Sequence, residues 1–248
     1  MSKKALIVWG GWWGHDPERV ANRFAGWLRE GGFEVEISDS YMSFAKYEPL
    51  LEYDLIVPIW TYGPAKPVEA PMSDVFACNL ADAVAEGVGL AGCHGGVADS
   101  FRENVIWQFL IGSQWVSHQG LKFHHNVRDY GPLPYNWQCC KHKVYVHSWS
   151  SSPLVEGIPD FEVDTEQYYL HVDPANDVLA YTVVPPPGVI DGPHLANGYV
   201  KMPVVYTRRW GKGRIYYNAL GHQNTVFDVP EAAELMRRGL FWAARQEN

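Results

Sequence analysis

The sequence predicts an α/β fold, a mostly parallel sheet flanked by helices. Three observations carry that prediction. Short apolar runs of strand length alternate with segments of helical periodicity, glycine-containing turns separate them, and no Ser/Gly-rich or charge-rich linker interrupts the 248 residues. Residues 1–248 are therefore expected to form a single domain around one large core.

Lys4 to Trp9 reads as the first strand. It ends in Gly10-Gly11, and Asp16-Pro17 then has the form of an N-cap followed by a first-turn proline. The helix from Pro17 places Val20, Phe24, Trp27 and Leu28 at helical spacing and stops at Gly31-Gly32. Phe33, Val35 and Ile37 then alternate as a strand, which completes one βαβ unit. Asp54 to Trp60 is a second apolar strand, Met72 to Glu86 a helix, and Val88 to Cys93 a third buried strand. After Cys93-His94-Gly95-Gly96 a sharp strand-to-helix turn is expected, with a helix around Phe101 to Leu110.

From Gly112 to about Gly198 the periodicity weakens, proline, glycine and tryptophan are frequent, and the strands look short, as in His142 to His147 and Val178 to Val183. Such a stretch could supply loops that roof a site. Regular pattern returns with a strand from Pro203 to Thr207, a glycine turn at Gly211-Lys212-Gly213, a strand from Arg214 to Leu220 and a closing helix from Pro230 to Ala244.

A net charge of -8 and no run of basic residues argue against nucleic acid or an anionic membrane surface as partner, and favour a small polar ligand. Ala5 to Trp9 is too short for a signal-peptide core, and no apolar run approaches the roughly 20 residues that span a bilayer, so a cytoplasmic location is expected. Cys78, Cys93, Cys139 and Cys140 lack C-x-x-C spacing, which excludes a zinc ribbon, and reduced thiols are expected. A homo-oligomer is compatible with the sequence, but no feature specifies one.

Three blocks carry a family resemblance: Gly92-Cys93-His94-Gly95-Gly96 with Ser100-Phe101; Glu166-Gln167-Tyr168-Tyr169; and Pro203-Val204-Val205-Tyr206-Thr207-Arg208, Gly211-Lys212-Gly213-Arg214 and Ala219-Leu220-Gly221-His222. In order and spacing the chain resembles the ThuA-like (trehalose utilisation) proteins. The resemblance implies a class I glutamine amidotransferase-like, flavodoxin-like three-layer architecture. It also implies a role in the catabolism of trehalose or related disaccharides, including keto-sugars.

In the amidotransferase elbow, Gly-x-Cys-x-Gly, a strained turn projects the nucleophile. The same frame here puts His94 at that position and Cys93 one residue early. Neighbouring strand residues face opposite ways, so Cys93 should point into the packing. Histidine titrates near neutrality and both donates and accepts, which suits general acid/base work or metal ligation. The resemblance places His118 near the elbow and matches Glu166 to an acidic residue before a tyrosine. His94, Glu166 and His118 are accordingly the expected catalytic groups.

His15, Trp60, Tyr62 and His222 each follow an apolar strand. Ligands of open α/β sheets bind outside the carboxyl ends of strands, so these four are the expected ligand-binding residues. Trp60 is equally readable as a core aromatic. His171 and Asp173 are weaker members, Arg208 and Arg214 are expected to hold loops, and His124 and His125 are read as surface residues.

His94, His118 and His222, with Glu166, offer the donor types that a divalent ion such as zinc accepts, although no H-x-H or H-x-x-x-H spacing supports a metal. Two alternatives remain open at this stage: a non-catalytic sugar-binding module on the same fold, and a cysteine amidotransferase or hydrolase using Cys93.

Overall fold

The computed structural model describes residues 2–62, 72–118, 139–147, 150–184 and 198–245. Strand β1 (Lys4–Gly11) leads through a 3₁₀ turn to helix α1 (Pro17–Glu30), then β2 (Glu34–Ser38), the short α2 (Tyr47–Leu50), β3 (Leu55–Thr61), α3 (Ser73–Ala85) and β4 (Gly89–Cys93). There follow α4 (His94–Ala98), α5 (Val105–Ile111), β5 (Ser113–His118), β6 (Cys139–Val146), β7 (Phe161–Glu166) and β8 (Tyr168–Val172). The chain closes with β9 (Asp177–Val184), β10 (Val200–Trp210), β11 (Gly213–Asn218) and α6 (Pro230–Ala243).

Nine strands form one sheet in the order β2-β1-β3-β4-β11-β10-β9-β6-β7. The first half is parallel, including the pairing of β4 with β11, and β11, β10, β9, β6 and β7 continue antiparallel. All of β3 and β4 is buried, as expected of central strands covered on both faces, whereas β2 lies at an edge and is half exposed. From β1 to β2 the chain steps one way along the sheet, and from β3 to β4 it steps the other way. Right-handed crossovers therefore put α1 and α3 on opposite faces. Helix α6 packs with α1, while α2 and α5 pack with α3, giving the two helical layers.

The predicted α/β architecture is what the chain adopts, and the expected strands and long helices reappear with ends shifted by a few residues. The hairpin expected at Gly211-Lys212-Gly213 joins β10 to β11, with Trp210 opposite Gly213. Gly211 has φ +57°, and a Cβ there would lie 2.5 Å from the Ala85 carbonyl oxygen, so both backbone conformation and space call for glycine.

Three expectations need correction. Asp16 precedes α1 in the left-handed region (φ 53°), and its side chain makes no capping bond; it lies 3.9 Å from Arg19 instead. The helix expected around Phe101 to Leu110 is displaced. Helix α4 begins at His94 itself, and α5 starts only at Val105, where the Asn104 side chain accepts from the Trp107 backbone N–H at 2.9 Å. In the weakly periodic stretch, β5, β7 and β8 are additional strands, and β5 and β8 pair as a separate two-stranded ribbon.

Candidate functional site

The strands β1, β3, β4 and β11 run parallel, so their carboxyl ends share one edge. His15 lies just after β1, Thr61 ends β3, His94 follows β4, and His222 lies in the loop after β11. The β5–β8 ribbon pairs His118 with Tyr168, and Glu166 is the last residue of β7, two positions before Tyr168. These elements bring four imidazoles around one carboxylate oxygen. Glu166 Oε2 lies 3.0 Å from His94 Nε2, 2.9 Å from His118 Nε2, 3.1 Å from His222 Nδ1 and 3.8 Å from His15 Nε2.

The elbow sequence explains how His94 reaches this point. His94 has φ 47°, a conformation uncommon outside glycine, and it sits at the strand-to-helix turn as strained backbone often does at functional sites. The turn packs tightly on β3: a Cβ on Gly96 would lie 2.8 Å from the Ile59 Cα, so only glycine lets the two backbones approach this closely. Cys93 points into the core, 2% exposed, and burial pushes its thiol up to about 12. A thiol so shifted is protonated at neutral pH and is a poor nucleophile.

The second ring nitrogens of His94 and His15 are tied from behind. His94 Nδ1 lies 2.9 Å from the carbonyl oxygen of Ala219, which can only accept, so Nδ1 carries the proton. His15 Nδ1 lies 2.7 Å from Thr61 Oγ1. The ring of Tyr168 stacks on His94 with centroids 3.9 Å apart, and Trp12 meets His15 edge-on at 4.6 Å. His222 Nδ1 is buried and, although 3.1 Å from the carboxylate oxygen, approaches outside the angle of a hydrogen bond.

Burial and the neighbouring charge of His15 push His94 down to about 3, and burial also lowers His15. Burial opposes ionisation of Glu166, but the surrounding imidazoles, His118 first, outweigh it and hold the carboxylate well below its usual range. For His222, burial is likewise outweighed, here by contacts with Cys139 and Glu166 that raise it to about 9.

Among the described residues one set of side chains has the composition and closeness to hold a metal ion: His15, His94, Glu166 and His222, with one ligand atom from each lying within 4.8 Å of the others. His118 touches Glu166 from the ribbon side and does not belong to that set. The chain thus brings His94, Glu166, His118, His15 and His222 to one place.

The other candidates lie elsewhere. Trp60 is 2% exposed and stacks on Tyr41 at 4.3 Å, in the core; as a residue that could line the site it needs correction, because Gly10 and Gly11 leave room that its ring fills from β1's side of the sheet. Tyr62 is 60% exposed and stands beside the cluster, its ring centroid 6.3 Å from that of Trp12. His171 is exposed, while Arg208 lies 3.6 Å from Asp173 and Arg214 donates to the Trp242 carbonyl. His124 and His125 lie outside the described residues.

Sequence reasoning did not single out Trp12, Thr61, Tyr168 or Cys139. Tyr168 was within reach, since it belongs to the same short block as Glu166, and Trp12 follows the glycines that end β1. Nothing in the spacing of Cys139 pointed to His222.

A family model described as trehalose utilisation matches residues 4–243. The chain belongs to the ThuA family. Solved structures give the same fold: a ThuA-like protein of Bacteroides uniformis is 17% identical, with 96% of this chain and 89% of that one covered and a TM-score of 0.64. A ThuA-like protein of Parabacteroides merdae is also 17% identical, with 100% and 93% covered and a TM-score of 0.65. A cytoplasmic protein of Salmonella typhimurium is 15% identical, with 97% of each chain covered and a TM-score of 0.61. No curated protein matches. ThuA membership points to sugar utilisation, and among the described residues no helix is long and apolar enough to cross a membrane.

Proposed function

We propose that this ThuA-family chain is a single-domain enzyme of disaccharide or keto-sugar catabolism that works by acid/base chemistry at a divalent-metal centre. One observation carries the metal. Because His94 Nδ1 donates to the Ala219 carbonyl, the neutral ring presents a bare Nε2 lone pair to an ionised Glu166 oxygen 3.0 Å away. Two lone pairs at that distance repel unless a cation lies between them. Ligand atoms each about 2.0–2.1 Å from a zinc ion sit roughly 3 Å apart, so the spacing of the cluster fits one. The bond from His94 to Ala219 and the contact of His15 with Thr61 are the outer partners that orient metal-bound imidazoles.

His15, His94, Glu166 and His222 would hold the ion, which would supply Lewis-acid polarisation of a sugar carbonyl or hydroxyl. His118 touches the same carboxylate from the β5–β8 ribbon and would carry the proton to or from the sugar. Tyr168, stacked on His94, and Trp12, edge-on to His15, would hold those two rings in place. A cysteine mechanism has less support, since the Cys93 thiol is buried and pushed up to about 12.

The test combines metal analysis with turnover. Protein purified without a histidine tag should bind about one zinc ion per chain, and NMR of the loaded protein with oxidised and unoxidised disaccharides should show conversion of one of them. Stoichiometry near zero that zinc addition does not raise would remove the metal. Calorimetric binding of a disaccharide without conversion of any would instead make the chain a sugar-binding module.

A further inference from the structure

A groove of about 370 Å³ opens beside the histidine cluster and has no role in the chemistry above. Its wall is continuous with the site. Asp99, which lines it, directly follows α4, the helix that His94 begins. Arg102 pairs with Asp99 through Nε and, at 2.7 Å, through Nη2; its guanidinium lies over the Trp115 ring at 4.0 Å and near the Tyr62 ring at 5.3 Å. Trp115 in turn meets His118 at 5.2 Å, while Tyr62 meets Trp12, the neighbour of His15. Two relays of ring contacts, Arg102–Trp115–His118 and Tyr62–Trp12–His15, thus join the wall of the groove to the cluster.

The lining has the character of a sugar site. Tyr62 holds a left-handed backbone (φ 71°), keeps its ring 60% exposed, and donates its backbone N–H to the Asp99 carbonyl at 3.2 Å. An exposed ring fixed at the rim in this way offers an apolar face to the C–H face of a pyranose. Asp99 is 3% exposed and locked to Arg102, so a preorganised polar pair stands opposite. Asn104 donates to Asp74 at 2.7 Å, and Glu103 is exposed on the same wall. With Asp99 paired to Arg102, Asp74 and Glu103 leave the described lining of the groove negative. A neutral polyol can bind hydrogen-bonding carboxylates, but a phosphate or a second carboxylate is repelled. The volume lies in the range of small-ligand sites.

We infer that this groove is the subsite for the second, non-reacting ring of a neutral disaccharide-type substrate, with Tyr62 as its platform, and that Asp74 and Glu103 exclude phosphorylated sugars. The inference rests on reading the histidine cluster as a sugar-processing site.

Calorimetry on the zinc-treated full chain tests it with three probes: trehalose, glucose and trehalose 6-phosphate. Trehalose is expected to bind more tightly than glucose and about tenfold or more tighter than its 6-phosphate. Tyr62→Ala should weaken trehalose by about tenfold while leaving glucose and zinc binding unchanged, and Tyr62→Phe, which keeps the platform, should restore it. Asp74→Asn combined with Glu103→Gln should narrow the gap between trehalose and its phosphate. Equal weakening of both sugars by Tyr62→Ala, or equal affinity of the wild type for trehalose and its phosphate, overturns the inference. If zinc binds but none of the three probes does, the subsite falls while the metal centre stands; if a sugar binds as described but zinc does not, the subsite stands without the metal.

Discussion

Glu166 is the residue on which the site converges. It is 2% exposed, and a buried carboxylate is costly unless it is paired, yet four imidazole nitrogens lie within 3.8 Å of a single one of its oxygens. Removing its charge without changing its shape should leave those rings without their common partner. Glu166→Gln is expected to lower zinc affinity by at least about 100-fold, since changes at outer partners of metal ligands alone cost 10–100-fold. Competition with a chromophoric chelator measures this, and unchanged affinity would take Glu166 out of the centre. Cys93 makes the opposite prediction. Its thiol packs behind the elbow, so Cys93→Ser should leave turnover of the responsive disaccharide within about twofold, provided that thermal unfolding shows the variant intact. Loss of turnover in a folded Cys93→Ser protein would revive the cysteine mechanism.

At the scale of elements, the elbow joining β4 to α4 positions His94, and its precision comes from close backbone packing. A Cβ at Gly96 would lie 2.8 Å from Ile59 Cα and 3.2 Å from the Pro58 carbonyl oxygen. Gly96→Ala should therefore destabilise the fold by about 1–3 kcal/mol, as overpacking does, and shift the urea midpoint accordingly. A midpoint equal to that of the wild type would show that β3 yields at no cost. The elbow was legible in the sequence because a buried strand followed by His94-Gly95-Gly96 is a local signal. Strands β1, β3 and β4 and helices α1 and α6 were legible for the same reason: their burial imprints a pattern within a few residues. The β5–β8 ribbon was not, since its pairing joins residues some 50 positions apart, such as His118 with Tyr168, and short strands carry little period of their own. Glu166 could be picked out only through its family block. Its partners His94 and His15 come from distant parts of the chain, and no local spacing encodes that meeting. Trp60 shows the converse: a strand-end position fits a site or a core equally well, and the ring of Tyr41 decides for the core through direct stacking.

For the whole molecule, the site links pH, metal and stability. In the metal-free protein His94 is pushed down to about 3 by burial and the charge of His15, so as pH falls from about 6.5 toward 3 the unfolded chain takes up a proton that the native one refuses, and stability is lost. The depressed Glu166 adds to that acid loss, because its stabilisation is present above the unfolded carboxylate range and vanishes as pH falls below it. His222 works in the other direction. Its native value is raised to about 9, so its stabilisation is full below about 6.5 and is lost as pH rises through 9. Metal-free protein should thus be most stable near neutrality, with both limbs descending. Zinc changes the alkaline limb, since ligation needs the neutral imidazole of His222 and so strengthens by up to about tenfold per pH unit below 9. At 100 times its dissociation constant the ion should add about 2.7 kcal/mol, or roughly 5–10 °C in Tm for a chain of this size. Scanning calorimetry from pH 5 to 9, with and without zinc, tests the linkage: the gap between the two Tm curves should widen as pH rises, and a gap that is absent or independent of pH would separate the histidine cluster from metal binding.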